Sequence, residues 1–268
     1  MLLKQPAAGG ESRMRDSFLS HWQYKCSAKD AYLVKKEFNK MIKLTNYFNK
    51  IEIILWISSV LLITSSFFIF DRENYMTLVA SLVGVTAIIV CAKGNPFGQV
   101  LMIIFSLIYA YISYTYAYYG ELITYAFMTL PMAVFSLVSW LRHPFNGNKA
   151  EVKVNKISRK EIAFMWVLAI IVTIIFYFIL EAFDTANIVP STISITTSFV
   201  AVYLSFRRSP YFSVAYATND IVLVVLWTLA SIVDVTYLSV VVCFVAFLFN
   251  DIYCFISWRS MEKRQRLG

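Results

Sequence analysis

Long, uninterrupted runs of apolar residues dominate the chain from residue 51 onward. At a rise of about 1.5 Å per helical residue, each run crosses most or all of a hydrocarbon layer about 30 Å thick. Segments such as 51–70 and 162–180 are continuously apolar, whereas strands of a membrane β-barrel alternate apolar and polar residues. The pattern therefore predicts an all-α integral membrane protein. Its eight predicted transmembrane helices are 51–70, 77–92, 99–119, 122–142, 162–182, 191–206, 213–233 and 238–258.

Composition supports a membrane protein and excludes several other classes. Hydrophobic residues make up 59% of the chain and charged residues 15%, whereas about a quarter of the residues are charged in soluble domains. The sequence contains no phosphate-binding loop, metal-ligand cluster or nucleophile motif, so we expect neither an enzyme nor a cofactor. Membrane topology accounts for the net charge of +8, and nucleic acid is not an expected partner.

The distribution of Lys and Arg predicts the orientation of the helices, because these residues concentrate in cytoplasmic loops. With both termini cytoplasmic, 23 of the 24 Lys and Arg residues lie on the cytoplasmic side, and Arg72 lies outside. The first fifty residues are too long and too polar for a cleaved signal peptide, so we expect them to be retained. Within them, 28–44 is either a basic amphipathic helix on the inner leaflet or a solvated, positively charged tail.

Two parts of the chain resemble each other after a shift of 114 residues. The shift superposes the basic turns KGNPFG (93–98) and RRSPYF (207–212), each between a short helix and a longer one. Both units also end in Ser-Trp with an Arg nearby, at 139–142 and 257–259. Because each unit would begin outside and end inside, the units are parallel and need one helix between them. This predicts one extra N-terminal helix and a 3+1+3 parallel repeat; chance similarity between apolar helices is the alternative.

The predicted domain organisation follows from these assignments. Residues 1–50 form a basic cytoplasmic segment, 51–260 a transmembrane domain and 261–268 a cytoplasmic tail. The transmembrane domain consists of repeat one (77–142), a linker helix (162–182) and repeat two (191–259). Parallel repeats place a substrate path between them near the membrane midplane, so transport of a small molecule across the lipid bilayer is the leading functional class.

Two identical Asn-Asp pairs lie inside predicted helices, where ionisable side chains are costly. Asn219 and Asp220 lie about 11 Å from the inner boundary by helical rise, and Asn250 and Asp251 lie at the same depth in the next helix. The two pairs therefore form a shared polar layer. They either contact a ligand or a proton, or they clamp the helices together through hydrogen bonds.

Further candidate substrate-binding residues are aromatic or amide side chains near this layer. Gln99, Tyr109 and Tyr116 are separated by seven or ten residues and can share one helical face. Phe212 and Tyr216 lie on the face of the first asparagine of the polar layer. Aromatic rings with hydroxyl and amide groups suit a planar ring with a polar tail, although helix packing alone also explains any single tyrosine. Five other polar residues either line an entrance or merely lie at the surface. They are Glu121, Ser191, Ser194, Thr197 and Ser198.

Several short motifs together resemble the PnuC family of bacterial nicotinamide riboside transporters. They are, in chain order, KGNPFGQ (93–99), YYGE (118–121), the SW that ends at 140, FRRSP (206–210) and AYATND (215–220). With the repeat pattern, the resemblance covers about residues 51–260. It implies a SWEET-like fold in the bacterial inner membrane, uptake of a vitamin by facilitated diffusion, and trapping by a separate intracellular kinase. It also suggests a homo-oligomer, with a trimer as the expected state.

The resemblance also indicates the substrate-binding residues, with one departure. Family members are expected to have tryptophans before the asparagine of the penultimate helix, whereas this chain has Phe212, Ala215 and Tyr216 there. Asn219 matches the expected asparagine. The expected tryptophans would form an aromatic clamp around the substrate, and in this chain only Phe212 or Tyr216 could take that role. Thiamine, riboflavin and deoxynucleosides are therefore alternative substrates. A proton-coupled carrier that uses the two mid-depth aspartates is an alternative mechanism, and a membrane scaffold that transports nothing is a distant third.

Overall fold

A computed structural model describes residues 47–115, 122–185 and 187–267. The chain divides into two compact units, 1–53 and 54–268. In the described part of the first unit, the Glu52 N–H donates to Asn49 Oδ1 and the Asn49 N–H donates to Glu52 Oε2, both at 2.8 Å. This capping box satisfies N–H groups that the first helical turn leaves without partners. The predicted amphipathic helix at 28–44 lies outside the described residues.

Eight helices in the described part of the chain are long and apolar enough to cross a membrane, which confirms the predicted number. They contain α1 (Lys50–Phe70), α2 (Tyr75–Ala92), α3 (Phe97–Thr115), α4 (Leu130–Arg142), α5 (Arg159–Ala182), α6 (Ile188–Phe206), α7 (Phe212–Ser231) and α8 (Leu238–Leu267). The span that contains α4 is longer than the α-helix and begins at Thr124. A 3₁₀ turn, Val235–Tyr237, precedes α8. The end of α8 differs from the prediction, because the helix continues past residue 258 to Leu267 and Gln265 packs there against a β-strand described below.

The fourth span begins with a π-helical turn, Thr124–Thr129, which the sequence analysis did not predict. Pro131 follows this turn closely. A proline lacks the backbone N–H and its ring clashes with the carbonyl four residues earlier, so the turn before it departs from α geometry. The Thr129 hydroxyl donates to the Thr124 carbonyl five residues earlier, at 3.3 Å. The span is therefore continuous, but its first turn is wider than an α-helix.

Matched hydrogen bonds relate the two predicted repeats. The indole Nε1 of Trp140 on α4 donates to the Ser205 carbonyl on α6 at 2.9 Å, and that of Trp258 on α8 donates to the Cys91 carbonyl on α2 at 2.8 Å. Cys91 and Ser205 are 114 residues apart, which is the predicted offset. The third helix of each unit thus packs against the first helix of the other unit. This exchange supports the parallel repeat.

The turns after α2 and α6 are equivalent as well. Gly94 (φ 67°) and Arg208 (φ 57°), also 114 residues apart, both have a left-handed backbone. Their N–H groups donate to the carbonyls of Cys91 at 2.8 Å and Ser205 at 2.9 Å. Glycine adopts this conformation readily and arginine rarely does, so Arg208 needs support from its surroundings. Its guanidinium lies 3.4 Å from the Ser139 hydroxyl and carbonyl oxygens.

The connection between α4 and α5 contains a β-hairpin that the sequence analysis did not predict. Strands β1 (Pro144–Phe145) and β2 (Asn148–Val152) are antiparallel. The two residues that join them, Asn146 and Gly147, have φ values of 47° and 77°. Two consecutive positive φ angles are the requirement of a type I′ turn, and Asn-Gly is its preferred sequence.

The end of this hairpin and the residues that follow it connect the turn after α2 to the turn after α6. The Val152 N–H donates to the Gly94 carbonyl at 2.9 Å, and the Asn155 N–H donates to the Arg208 carbonyl at 3.0 Å. Gln265, on the extension of α8, donates to the Val152 carbonyl at 3.0 Å. Backbone groups of both repeats are therefore held by one short segment. The end of the bundle that contains these turns and this segment is called the basic end below.

The paired indoles make a testable prediction. Replacing either Trp140 or Trp258 by Phe should destabilise the protein by about 1 to 3 kcal/mol, because each change removes a buried hydrogen bond and leaves a void. Both side chains are fully buried, so the two losses should be similar. Thermal unfolding in detergent, followed by far-UV circular dichroism, measures the effect. Trp166→Phe on the exposed face of α5 is the control, and a loss confined to one of the two buried indoles would contradict their equivalence.

Candidate functional site

A cavity of about 500 Å³ lies between the two predicted repeats. Cys91, Gln99 and Phe212 line the part nearest the basic end. The cavity also reaches the opposite end of the bundle, where Asp184 and Tyr237 line it. Its volume lies within the range of about 300 to 1,000 Å³ that is typical of sites for small molecules. The sequence prediction of a path between the repeats is consistent with this position.

Packed aromatic side chains separate the cavity from the basic end. The Phe212 ring centroid lies 4.9 Å from that of Trp258 and 6.2 Å from that of Trp140, and the two indoles are 5.2 Å apart. The Gln99 amide donates to the Ser205 hydroxyl at 3.2 Å beside this layer. We call Trp140, Trp258 and Phe212 the aromatic layer. Phe212 is the member of this layer that lines the cavity, and the two indoles pack behind it.

Asn219 forms part of a polar wall of the cavity. Its Oδ1 accepts hydrogen bonds from the Thr197 hydroxyl at 2.8 Å and the Ser198 hydroxyl at 3.1 Å. Among the described residues, no group accepts a hydrogen bond from Asn219 Nδ2, which leaves this donor available to a ligand. An amide donor suits a carbonyl oxygen or a hydroxyl group on that ligand.

Asp220 and Asp251 form a pair of carboxyl groups in the same cavity. Both side chains line it and both residues are 4% exposed. The two carboxyl groups lie within hydrogen-bonding reach of each other, and a hydrogen bond between them requires a proton on one. In the described part of the chain, Asp220 Oδ2 is buried without a hydrogen-bond partner. A buried acceptor without a partner is costly, so a cation or hydrogen-bond donor in the cavity would stabilise it.

Asn219 and Asp220 both line the cavity, although adjacent helical residues point about 100° apart. This is possible because α7 packs against two helices at the cavity. Asn219 bonds to residues of α6, whereas Asp220 lies beside Asp251 of α8. Phe212 and Tyr216 also line the cavity from α7, and their rings meet edge to face at 6.2 Å between centroids. The predicted residues of the penultimate helix therefore converge on one space.

Two other predicted site residues in the described part of the chain, Asn250 and Tyr109, do not line the cavity. The Asn250 amide donates to the Ser59 hydroxyl on α1 at 2.7 Å, so it acts as the interhelical clamp that was the alternative interpretation. Tyr109 is buried behind the cavity and stacks on Tyr125 at 5.0 Å, and it is Tyr125 that lines the space. The π-helical turn, unpredicted from the sequence, explains why Tyr125 is in this position. Tyr116 lies outside the described residues.

The wall that faces the polar groups is apolar and was missed by the sequence analysis. A Cβ atom at Gly84 would lie 2.6 Å from Phe247 and 2.9 Å from Phe105, so this glycine allows both rings to approach α2 closely. A shift of 114 residues superposes Gly84 on Ser198 and Phe105 on Asn219. Equivalent positions of the two repeats therefore form opposite walls of different polarity. The sequence feature that could have indicated this wall is Gly84, because the equivalent position of the other predicted repeat is the polar residue Ser198.

The outer part of the cavity contains further aromatic rings. Trp227 and Tyr237 both line it, with ring centroids 5.3 Å apart. Trp227 follows Asn219 by about two helical turns, whereas the family resemblance led us to expect tryptophans before the asparagine, where this chain has Phe212 and Tyr216. Ser191, Ser194 and Ser198 also line the cavity, whereas Thr197 acts through its bond to Asn219.

The charges that line the cavity are negative. Asp184, Asp220 and Asp251 contribute carboxyl groups, and no Lys, Arg or His of the described residues lines the space. Walls of low dielectric strengthen the electric field of such groups. The site therefore attracts cations or neutral donors and repels anions. In the part of the chain that the structure describes, no group of three or more His, Cys, Asp or Glu side chains is arranged to hold a metal ion.

A partly polar cavity between repeats in a bundle of apolar helices is the arrangement of a small-molecule membrane transporter. Comparisons with known proteins agree with this class. The chain belongs to the nicotinamide mononucleotide transporter family, whose family model matches residues 74–260. It is therefore a multi-pass membrane protein of a transporter family and not an enzyme.

Two relatives give the extent of the similarity. The nicotinamide riboside transporter PnuC of Neisseria mucosa is 23% identical over 214 residues, which cover 78% of this chain and 81% of that protein. The crystal structure of the vitamin B3 transporter PnuC is similar with a TM-score of 0.70 and 22% identity. That match covers 81% of this chain and 94% of the other. The fold of the two structures is thus shared.

The carboxyl pair makes a prediction about stability. Asp251→Asn should stabilise the protein without ligand by about 1 kcal/mol, because the amide donates a hydrogen bond to Asp220 without needing a shared proton. Binding sites commonly sacrifice stability in this way. Thermal unfolding in detergent measures the change, with Glu73→Gln at an exposed position as the control. A clear loss of stability in Asp251→Asn would instead identify the pair as a structural clamp.

Proposed function

We propose that the protein takes up nicotinamide riboside, or a closely related nucleoside-like vitamin, in which a planar cationic ring is joined to a sugar. The Asp220–Asp251 pair, in a cavity without basic lining residues among those described, carries this proposal. Carboxylates and aromatic faces both attract a pyridinium ring, and a cation over an aromatic face gains roughly 0.5 to 2 kcal/mol. The substrate in the name of the Neisseria mucosa relative supports the same choice.

The cavity favours the riboside over the mononucleotide in the family description. The two molecules differ by a phosphate group, which carries a charge of about −1.5 to −2 at neutral pH. Sites for phosphate supply Arg, Lys or a helix N-terminus. The described lining residues instead supply carboxyl groups, which repel a phosphate. A cationic nucleoside without phosphate is therefore the better fit.

We place the ring against Tyr216 or Phe212, next to the carboxyl pair. Both aromatic residues line the cavity close to Asn219 in the sequence and on the same helix. The Asn219 amide then donates to a ribose hydroxyl or to the carboxamide oxygen of the ligand. Replacement of the expected tryptophans by Phe and Tyr leaves the site more room, so thiamine, riboflavin and deoxynucleosides stay alternative substrates.

The basic end is proposed to face the cytoplasm, because it carries most of the Lys and Arg residues outside the first fifty. Both termini are then cytoplasmic in a bacterial inner membrane. Substrate enters from the opposite end, which the cavity reaches, and leaves at the basic end after the Phe212 ring moves aside. Facilitated diffusion, with trapping by a separate intracellular kinase, accounts for net uptake. A homo-oligomer, with a trimer suggested by the family resemblance, stays a prediction.

The carboxyl pair supports proton-coupled transport as a second candidate mechanism. A pair that holds one proton when the cavity is empty has a net charge of −1, and a cationic ligand beside it would favour release of that proton. Exchange of one cation for one proton would then couple the two gradients: one proton moves out for each cation that moves in, so a higher proton concentration inside drives uptake. Facilitated diffusion uses the same residues to bind the cation but moves no proton.

Counterflow into proteoliposomes tests the substrate. We expect labelled nicotinamide riboside to exchange much faster than nicotinamide mononucleotide, because the carboxyl pair attracts the first and repels the phosphate of the second. Thiamine, riboflavin and a deoxynucleoside are the other arms of the experiment. Faster exchange of the mononucleotide would contradict the charge argument, and no exchange of any compound would favour the scaffold.

Single substitutions on α7 test the site. Asn219→Ala should weaken binding of nicotinamide riboside about tenfold, which corresponds to the loss of one hydrogen bond of about 1 to 1.5 kcal/mol. Asp220→Asn should weaken binding of the cation and affect a neutral ring analogue less. Binding is measured by titration calorimetry on protein shown to be folded. Thr218→Ala is the matched control, since this exposed neighbour does not line the cavity. Unchanged affinity in both site variants would remove the proposed site.

Collapse of the proton gradient separates the two mechanisms. If transport is facilitated diffusion, an ionophore that dissipates the gradient should leave the initial rate of uptake into vesicles unchanged. Under proton exchange, vesicles with a higher proton concentration inside should accumulate the substrate, the ionophore should abolish this accumulation, and Asp220→Asn or Asp251→Asn should abolish the dependence on the gradient. A pH-sensitive dye inside the vesicles reports any proton movement directly.

A further inference from the structure

A second groove, of about 540 Å³, lies on the outer surface of the bundle at the basic end. It runs between α5, α6 and α7 and shares no lining residue with the central cavity. Its walls are apolar side chains of membrane-spanning helices, among them Met165, Val200, Leu204 and Val214. The proposed transport function does not use this groove.

The depth of the groove matches one leaflet of a bilayer. Tyr211 lines it at the start of α7, and Thr196 lines it on α6. Thr196 lies ten residues before the end of α6 at Phe206, which corresponds to about 15 Å of helical rise. The hydrocarbon core of a bilayer is about 30 Å thick, so half of it is about 15 Å. The groove therefore begins at one membrane surface and ends near the midplane.

The mouth of the groove has an excess of positive charge. Lys156, Arg259 and Arg266 line it together with one acidic residue, Glu262. Both arginines form ion pairs with Glu262, which is 6% exposed, so a single carboxylate is shared between two guanidinium groups. Lys156 is exposed and adds a third cation. The charge complement of this mouth is an anion.

Aromatic residues at the rim support a lipid rather than a protein as the occupant. Trp166 and Tyr211 line the groove and are 49% and 53% exposed, and such residues concentrate at membrane interfaces. A peptide segment in the groove would have to satisfy its backbone N–H and C=O groups beside hydrocarbon, where unsatisfied groups cost several kcal/mol. An acyl chain has no such groups.

We propose that this groove binds one anionic phospholipid of the leaflet at the basic end. The phosphate lies between Lys156 and Arg266, and an acyl chain follows the apolar walls toward Thr196. Arg259 stays with Glu262 and over the Tyr211 ring, at 5.8 Å from its centroid. The bound lipid would link α5, the helix between the repeats, to α6 and α7 of the second repeat.

Retention of lipid by the full-length chain tests the proposal. The purified protein in detergent is mixed with equal amounts of phosphatidylglycerol and phosphatidylcholine, and native mass spectrometry counts the bound lipids. We expect one phosphatidylglycerol per chain, in preference to phosphatidylcholine. The double substitution Lys156→Gln with Arg266→Gln should weaken its retention about fivefold for each charge removed. Arg259 is left in place so that buried Glu262 keeps one partner.

Two further variants separate the groove from general charge effects. Lys153→Gln with Lys263→Gln removes two exposed cations of the same segments that do not line the groove, and it should retain the lipid. Val214→Trp fills the groove without changing charge and should lose it. Thermal unfolding without added lipid must be similar for all variants, so that lipid loss is not caused by unfolding.

Several outcomes would overturn the proposal. Equal retention of both lipids, or equal losses in the groove variant and its charge-matched control, would show that the headgroup is not recognised at Lys156 and Arg266. Cross-linking between two copies of the chain through cysteines placed at Val214 and Trp166 would show that a second copy covers the groove. Retention of phosphatidylglycerol by Val214→Trp would place the lipid elsewhere.

Discussion

Two indole-to-carbonyl hydrogen bonds are the interaction on which this bundle depends. In lipid, apolar side chains gain little from moving out of contact with hydrocarbon, so helices associate through close packing and polar contacts. The last carbonyls of α2 and α6 have no partners within their helices. Trp258 and Trp140 donate to the carbonyls of Cys91 and Ser205, while Ser257 and Ser139 donate to the carbonyls of Ala92 and Phe206. The Cys91 and Ser205 carbonyls also accept from the N–H groups of Gly94 and Arg208 in their own turns, so each indole adds a partner from the other unit. Each unit thereby completes a helix end of the other.

This shared scaffold supports a cavity whose walls differ. The backbones match at the turns around Gly94 and Arg208 and at the indole bonds, so equivalent positions face the cavity from opposite sides. At those positions one repeat supplies Ser198 and Asn219, and the other supplies Gly84 and Phe105. A symmetric cavity would bind an asymmetric molecule equally well in two orientations. Substituting side chains on a repeated backbone gives the cavity a polar wall and an apolar wall, which suits a ligand with a ring at one end and hydroxyl groups at the other.

Hydrophobic patterning was sufficient to predict the eight helices, because in lipid the backbone has no alternative that satisfies its own hydrogen bonds. Asn219, Asp220 and Asp251 could be found for the same reason, since polar groups at mid-depth are costly and must face something polar. The π-helical turn could not, because a proline disturbs the preceding turn without specifying its geometry, and it is Tyr125 of this turn that lines the cavity and not Tyr109. The turn at Asn146 and Gly147 could have been predicted, because this dipeptide is the preferred sequence of a type I′ turn. The two strands that it joins are too short to show an alternating pattern in the sequence.

The position of the aromatic layer limits how a substrate can leave toward the basic end. Trp140 and Trp258 hold the two units together and pack behind Phe212, which lines the cavity, so opening a path by separating the two indoles would break the bonds that pair the units. The segment 152–155, which begins with the last residue of β2, is bonded to the Gly94 carbonyl of one repeat and to the Arg208 carbonyl of the other, and it keeps the two turns close. The less costly movement is a rotation of one unit against the other about this tie, in which the indoles keep their carbonyl partners and the Phe212 ring moves aside. A hinge at the basic end and a rotamer change at Phe212 would then open the path without unpairing any buried backbone group.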